Sequence, residues 1–256
     1  MSESGTRQVP AASWLFREGV QYWLDHQRDF WLWAGPCALL LGLADLLRSG
    51  RHDNGVTVLF VYAGVFNWWL TLVLYPDAKL RREAGQRDKK RRTMGYFFAF
   101  FGFCSAFGAL ASLIALLLGM QFHTLFQQVG PLLATTILGP PVLFLCAALF
   151  ACFLLYLPAL VAFHPLGLAD AFALSHGVRG RLIGFALLCT AVSLIATVCV
   201  IAAATLRLPN SPWSVAAIRA AVAVIDLTAL YILAFGLVRL FEALTGWRPE
   251  PVAPAN

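Results

Sequence analysis

Six runs of apolar residues, at 31–48, 56–76, 95–119, 142–163, 181–204 and 214–238, alternate with short segments where charge, proline and glycine collect. A run of about 20 apolar residues crosses a hydrocarbon core of about 30 Å at the helical rise of about 1.5 Å per residue. A β-barrel would instead show segments of about ten residues with strict alternation. These runs are too long and too uniformly apolar for that pattern. Inside lipid the backbone must satisfy its own hydrogen bonds, which leaves helices. The pattern predicts an all-α integral membrane bundle of six transmembrane helices.

Ahead of the first run, residues 13–30 place Leu15, Gly19, Tyr22, Trp23, His26 and Phe30 on one helical stripe, with Arg17, Asp25 and Arg28 largely away from it. This predicts an amphipathic helix lying in the membrane interface, with Trp14, Trp23, Trp31 and Trp33 suited to the headgroup level. No short apolar core with a small-residue cleavage site precedes it, so the first span is expected to stay in the mature protein. The chain thus divides into a cytoplasmic amphipathic segment 1–30, a six-span domain 31–240 and a short cytoplasmic tail 241–256. Residues 131–163 carry no charge and would be too long for one span. Gly139-Pro140-Pro141 breaks the run, leaving 131–138 as an interfacial or re-entrant piece. Pro158 is expected to kink the fourth span near its far end.

Composition turns the pattern into a statement about solvent. Hydrophobic residues make up 60% of the 256, charged ones 12%, and the mean hydropathy is +0.73. Soluble domains carry about twice that share of charge. The net charge of +6 would suit nucleic acid, but its placement argues otherwise. Under six spans, one side holds Arg7, Arg17, Arg28, the eight-charge loop Lys79, Arg81, Arg82, Arg87, Lys89, Lys90, Arg91 and Arg92, and then Arg179, Arg181, Arg239 and Arg248, fifteen in all. The other side holds Arg48, Arg51 and Arg207. That bias puts both termini in the cytoplasm. The loop lies against an anionic leaflet, where each basic residue contributes roughly 1 kcal/mol of attraction. No aromatic residue interrupts it to stack a base, so it is read as a topology signal and anionic-lipid contact, or a protein-partner surface, and not a nucleic-acid site.

Catalytic chemistry is not signalled. The six cysteines fall inside apolar runs without a C-x-x-C pair or a nearby His at ligand spacing, so no metal or cofactor is expected. The polar candidates are few. Asp226 lies near the middle of the last span, with Arg219 two turns earlier. A charge at that depth is costly and faces the bundle interior or a wet cavity, as a relay or substrate contact, or as a paired group fixing helix packing. Asp170, His176, Arg179 and Arg181 form a candidate hinge: a short interfacial helix linking spans four and five, acidic at its start and basic at its end as the helix dipole prefers. Ser175 and His176 are adjacent and cannot face each other on a helix as nucleophile and base. Cys104, Gly108 and Ser112 put small residues on one face of span three, for close packing within the bundle or in a homo-oligomer.

Two stretches together, SWLFREGVQYWLDHQRDFWLWAGPCALLLGL (13–43) and YLPALVAFHPLGLADAFALSHGVRGRLIGFALL (156–188), carry Pro158-Ala159-Leu160, then Asp170-Ala171 with Ser175, then Arg179-Gly180-Arg181. This arrangement resembles uncharacterised bacterial multi-pass inner-membrane proteins related in pattern to YciC-like proteins and to the membrane domain attached to some glycerophosphodiester phosphodiesterases. The resemblance implies an integral inner-membrane role. It implies no hydrolase activity, since no hydrolase domain is present. The expected function is a non-enzymatic accessory or scaffold protein assisting an envelope or lipid-handling system, with a membrane-protein partner or a second copy as its associate. The alternative is a small transporter or lipid-translocating protein using Asp226.

Overall fold

The computed structural model describes residues 10–47, 55–86, 94–106, 109–110, 113, 151–207 and 211–249. Outside the described residues lie Arg87, Lys89, Lys90, Arg91 and Arg92, the 131–138 piece, the Gly139-Pro140-Pro141 break, Gly108, Ser112, and much of spans three and four. Every regular element among the described residues is helical: α1 (Ala12–Asp25), α2 (Gln27–Leu47), α3 (Gly55–Leu74), α4 (Ala78–Gln86), α5 (Met94–Ala106), α6 (Tyr156–Val161), α7 (Leu168–Ser175), a 3₁₀ turn (His176–Val178), α8 (Arg179–Arg207) and α9 (Pro212–Thr245). Among the described residues two helical stretches are long and apolar enough to cross a membrane: the unbroken run Leu168–Ala204, and α9.

The last helix is the hub. It packs against α1, α2, α3, α6 and α8. Its start is set by Ser211, whose hydroxyl accepts the Ser214 N–H at 3.2 Å, with Pro212 in the first turn, where a missing N–H removes no helical bond. Its end is set by Gly246, at φ 70°, whose N–H reaches the Glu242 carbonyl. That left-handed turn, easiest for glycine, folds Trp247 back onto Phe241 and Tyr75.

Small residues let its neighbours approach. On α2, Ala34, Ala38 and Gly42 are buried at four-residue spacing. A Cβ on Gly42 would sit 2.8 Å from the Ala216 carbonyl oxygen. Phe30 meets Tyr231 at the other end of α2, with ring centroids 5.7 Å apart, so α2 and α9 run in opposite directions. On α8, the Phe185 ring occupies the space left by Gly236, while Ser193 meets Asp226, again antiparallel. In α3, Tyr62 meets Asp226, Trp69 meets Tyr231 and Tyr75 meets Trp247, so α3 runs parallel to α9. Close approach through small side chains is how helices gain dispersion contacts where lipid removes the hydrophobic drive between them.

The amphipathic stripe of α1 is turned onto the protein. Leu15 is fully buried, Gly19 abuts Ile232 and Phe235 of α9, and Ala12 reaches Gly184 of α8. Tyr22 stacks on His26, Tyr231 and Phe235. Trp14 remains on the exposed side.

Upstream of α6, Leu157 donates its N–H to Leu154 and Leu154 to Ala151, both i to i−3 bonds. Pro158 cannot donate to the Leu154 carbonyl, so Leu157 takes it and the chain tightens to 3₁₀ geometry there. After α6, Phe163 adopts φ 55° and the His164 N–H bonds back to Ala159. This is a Schellman-type stop followed by Pro165, with a phenylalanine where glycine is commonest.

Candidate functional site: a polar node in a bundle cavity

Halfway along α8, Thr190, Ser193 and Thr197 recur at three- and four-residue spacing, which puts three hydroxyls on one face of an otherwise apolar helix. That face meets α9 at Asp226. The Ser193 hydroxyl donates to Asp226 Oδ1 at 2.7 Å, and Tyr62 of α3 lines the same cavity close enough to the carboxyl group to interact with it. Three helices are thus joined at one acidic side chain. Thr190 instead turns its hydroxyl to the Ala186 carbonyl of its own helix at 2.8 Å, satisfying its proton locally.

The node opens on a cavity of about 490 Å³. Leu154, Ala186, Cys189, Leu194, Leu230 and Leu233 supply apolar wall, and Tyr62, Ser193, Thr197 and Asp226 supply the polar part. An apolar cleft with a few convergent polar groups is the usual form of a small-molecule site. It suits a ligand with an apolar body and a hydrogen-bond donor or cationic group aimed at the carboxyl. Asp226 is the lone acidic residue in the lining. Among the described residues no three of His, Cys, Asp and Glu converge.

Arg219, named beside Asp226 as a candidate polar site in the sequence, is exposed and is not among the residues that line the cavity. The hydrogen bond to Asp226 comes from another helix, α8. Position along a helix fixes which face two residues share, but not which neighbours that face meets.

The hinge residues separate by role. Asp170 Oδ2 accepts the Gly167 N–H at 3.0 Å and so caps the start of α7. Arg179, the first residue of α8, lies over the Phe172 ring at 4.1 Å. His176 and Arg181 are exposed. Ser175 is fully buried and donates to the Phe172 carbonyl at 2.7 Å, which leaves its proton no path to His176. The segment is continuous: α7 passes through the 3₁₀ turn into α8 without leaving helical geometry.

In the basic segment, Asp77 Oδ1 accepts the Lys79 N–H at 2.8 Å and starts α4. Arg81 Nη1 donates to the carbonyls of Tyr75 and Pro76 at 3.2 and 3.1 Å, closing the C-terminal end of α3 with positive charge where the helix dipole favours it. Lys79 and Arg82 are exposed. Compared with protein-family models, with curated proteins and with solved structures, the chain matches none.

Proposed function

We propose that the chain is a six-span, non-enzymatic protein of a bacterial inner membrane, with both termini cytoplasmic, that serves an envelope or lipid-handling system as an accessory or scaffold subunit. The observation that carries the membrane reading is the surface of α8. Only 17% of its most apolar window is buried, against 50% for α9. Ile195, Val198 and Ile201 lie exposed on α8, as do Leu32, Leu39 and Leu40 on α2. An apolar helix this uncovered is not the core of a soluble domain; it needs an apolar solvent.

Helix direction supports the same reading. Spans one and five, as α2 and α8, run against the sixth, α9, while span two, as α3, runs with it; alternate threading requires that. Arg81, Arg82, Arg179, Arg181, Arg239 and Arg248 collect at one end of the bundle, and Arg207 lies at the other. Trp14 at the basic end and Trp213 at the opposite end are exposed, as interfacial belts are, whereas Trp31 and Trp33, expected at the same level, lie deeper, beside Phe30 and Trp68. The resemblance to YciC-like membrane proteins points the same way.

Reporter fusions test the threading. Fusions after Arg92 and Asn256 are expected to read cytoplasmic, and one after Gln127 periplasmic. A periplasmic signal at Arg92 would reject six spans. The accessory role predicts a stoichiometric membrane partner on gentle extraction.

The second reading, a small transporter or lipid-translocating protein, is favoured by the Asp226 node itself, since a polar group lining a bundle cavity is where an amphiphile's head would pause. Asp226→Asn keeps a hydrogen-bonding group of the same shape and is expected to leave stability within about 0.5 kcal/mol, whereas Asp226→Leu strands the Ser193 hydroxyl and costs about 1–2 kcal/mol. Amphiphile flux into proteoliposomes that disappears in Asp226→Asn while the fold persists would establish this reading. Equal leakage with and without protein would dismiss it.

A further inference from the structure

A second cavity, of about 620 Å³, lies at the basic end of the bundle between the start of α1, the end of α3 and the turn after α9. Its apolar wall is made by Trp14, Trp247 and Pro76, its charged part by Arg239, Arg248 and Glu242. Arg239 is held in place. Its Nη1 is 3.1 Å from Glu242 Oε2, and its guanidinium sits 5.2 Å from the Phe235 ring centroid. Trp247 is fixed edge-on against Tyr75, centroids 5.7 Å apart, by the reversal at Gly246. Arg248 follows it, exposed on the rim. Tyr22 lines the same cavity, and burial, with Asp29 adding to it, pushes its phenol upward, so the hydroxyl stays neutral. Two guanidiniums face one carboxylate, and Glu242 occupies only one edge of Arg239.

We propose that this cavity seats the phosphate of an acidic phospholipid headgroup. The phosphate lies between Arg248 and the edge of Arg239 that Glu242 leaves open, in the forked geometry arginine offers phosphate oxygens. The glycerol and upper acyl chain lie against Trp14 and Trp247, whose amphipathic rings suit that depth. A soluble phosphate ester would share the arginines but would have no use for two indoles and a proline wall. Lys79, Arg81 and Arg82, the described basic residues of the eight-charge loop, are not in the cavity's lining. The lipid assignment rests on the membrane reading above.

The test uses the full chain in neutral detergent, with Lys89, Lys90, Arg91 and Arg92 changed to Gln throughout to silence the loop. Thermal shifts are titrated with phosphatidylglycerol, phosphatidylcholine of the same chains, glycerol 3-phosphate and inorganic phosphate. Phosphatidylglycerol is expected to stabilise, and the other three not. Arg248→Gln is exposed and lies beyond the helix, so it keeps the fold. It should weaken phosphatidylglycerol about fivefold, and Arg239→Gln with Arg248→Gln roughly thirtyfold, as one and two basic contacts do. Unchanged phosphatidylglycerol affinity in Arg248→Gln overturns the proposal, as does equal binding of phosphatidylcholine. Inorganic phosphate binding that depends on Arg248 overturns the lipid source. A chain that stays dispersed without detergent overturns the membrane reading instead, and it does so before any lipid is added.

Discussion

Trp69→Ala is expected to cost about 2–4 kcal/mol, the largest loss of any single truncation among the described residues. The indole is fully buried. It stacks on Phe30 at 5.7 Å and meets Tyr231 edge-on at 5.0 Å, so it joins α2, α3 and α9 at one point. Deleting a buried aromatic leaves a cavity that the surroundings only partly close, for about 3–5 kcal/mol in soluble cores. On the membrane reading proposed above the transfer part shrinks, because the unfolded reference is itself apolar, while lost packing and aromatic contacts remain. The Trp69 Nε1 is buried without a hydrogen-bond partner, so its N–H adds nothing to stability. Trp69→Phe is therefore expected to recover most of the loss. Denaturant titration in detergent separates the two variants; equal losses for Ala and Phe would mean that the nitrogen, not the ring, is what matters.

Gly236→Ala is expected to cost about 1–3 kcal/mol, and Gly236→Val more, although both remove the flexibility of a mid-helix glycine. A Cβ at this position would overlap the ring carbons of Phe185. Phe185 is itself fully buried, so neither partner can retreat without shifting α8 from α9. Overpacking of this kind is relieved by rotamer strain or backbone movement. Replacing Phe185 by Leu should be costly alone and mild in the Gly236→Ala background, a coupling that a double-mutant cycle reads directly. Additive losses would show that the two positions do not share the same space.

The long helices were legible because their apolar runs are uninterrupted and their ends carry plain signals. Ser211-Pro212 opens α9 and Gly246 closes it; Asp77 opens α4. The tightening before Pro158 follows from a missing N–H that any reader of the chain can see. Asp226 was legible from depth alone. Its partners were not equally so: the Thr190–Ser193–Thr197 spacing marks a polar face in advance, whereas Tyr62 carries no periodic signal and comes to the node only through the packing of α3. Arg219, two turns away along α9, was legible as too distant for a direct ion pair, and a contact from another helix, Ser193, is what meets Asp226. The stripe of α1 identified a buried face correctly but not its partner, since lipid and the apolar flank of α9 present the same chemistry to Leu15 and Tyr22. The short helix read between spans four and five is present as α7, and a single 3₁₀ turn joins it to α8.

The hub position of α9 has a consequence for biogenesis. Translation delivers first the helices that need α9 most and delivers α9 last. Between Gly42 and its neighbour Ala216 the ribosome must add the intervening chain, which at about 5–20 residues per second takes roughly ten to thirty seconds. Through that interval α1, α2 and α3 lack the α9 surface that they pack against. On the membrane reading proposed above, the bilayer holds these early helices until α9 is made, and the packing of the described helices around α9 closes late.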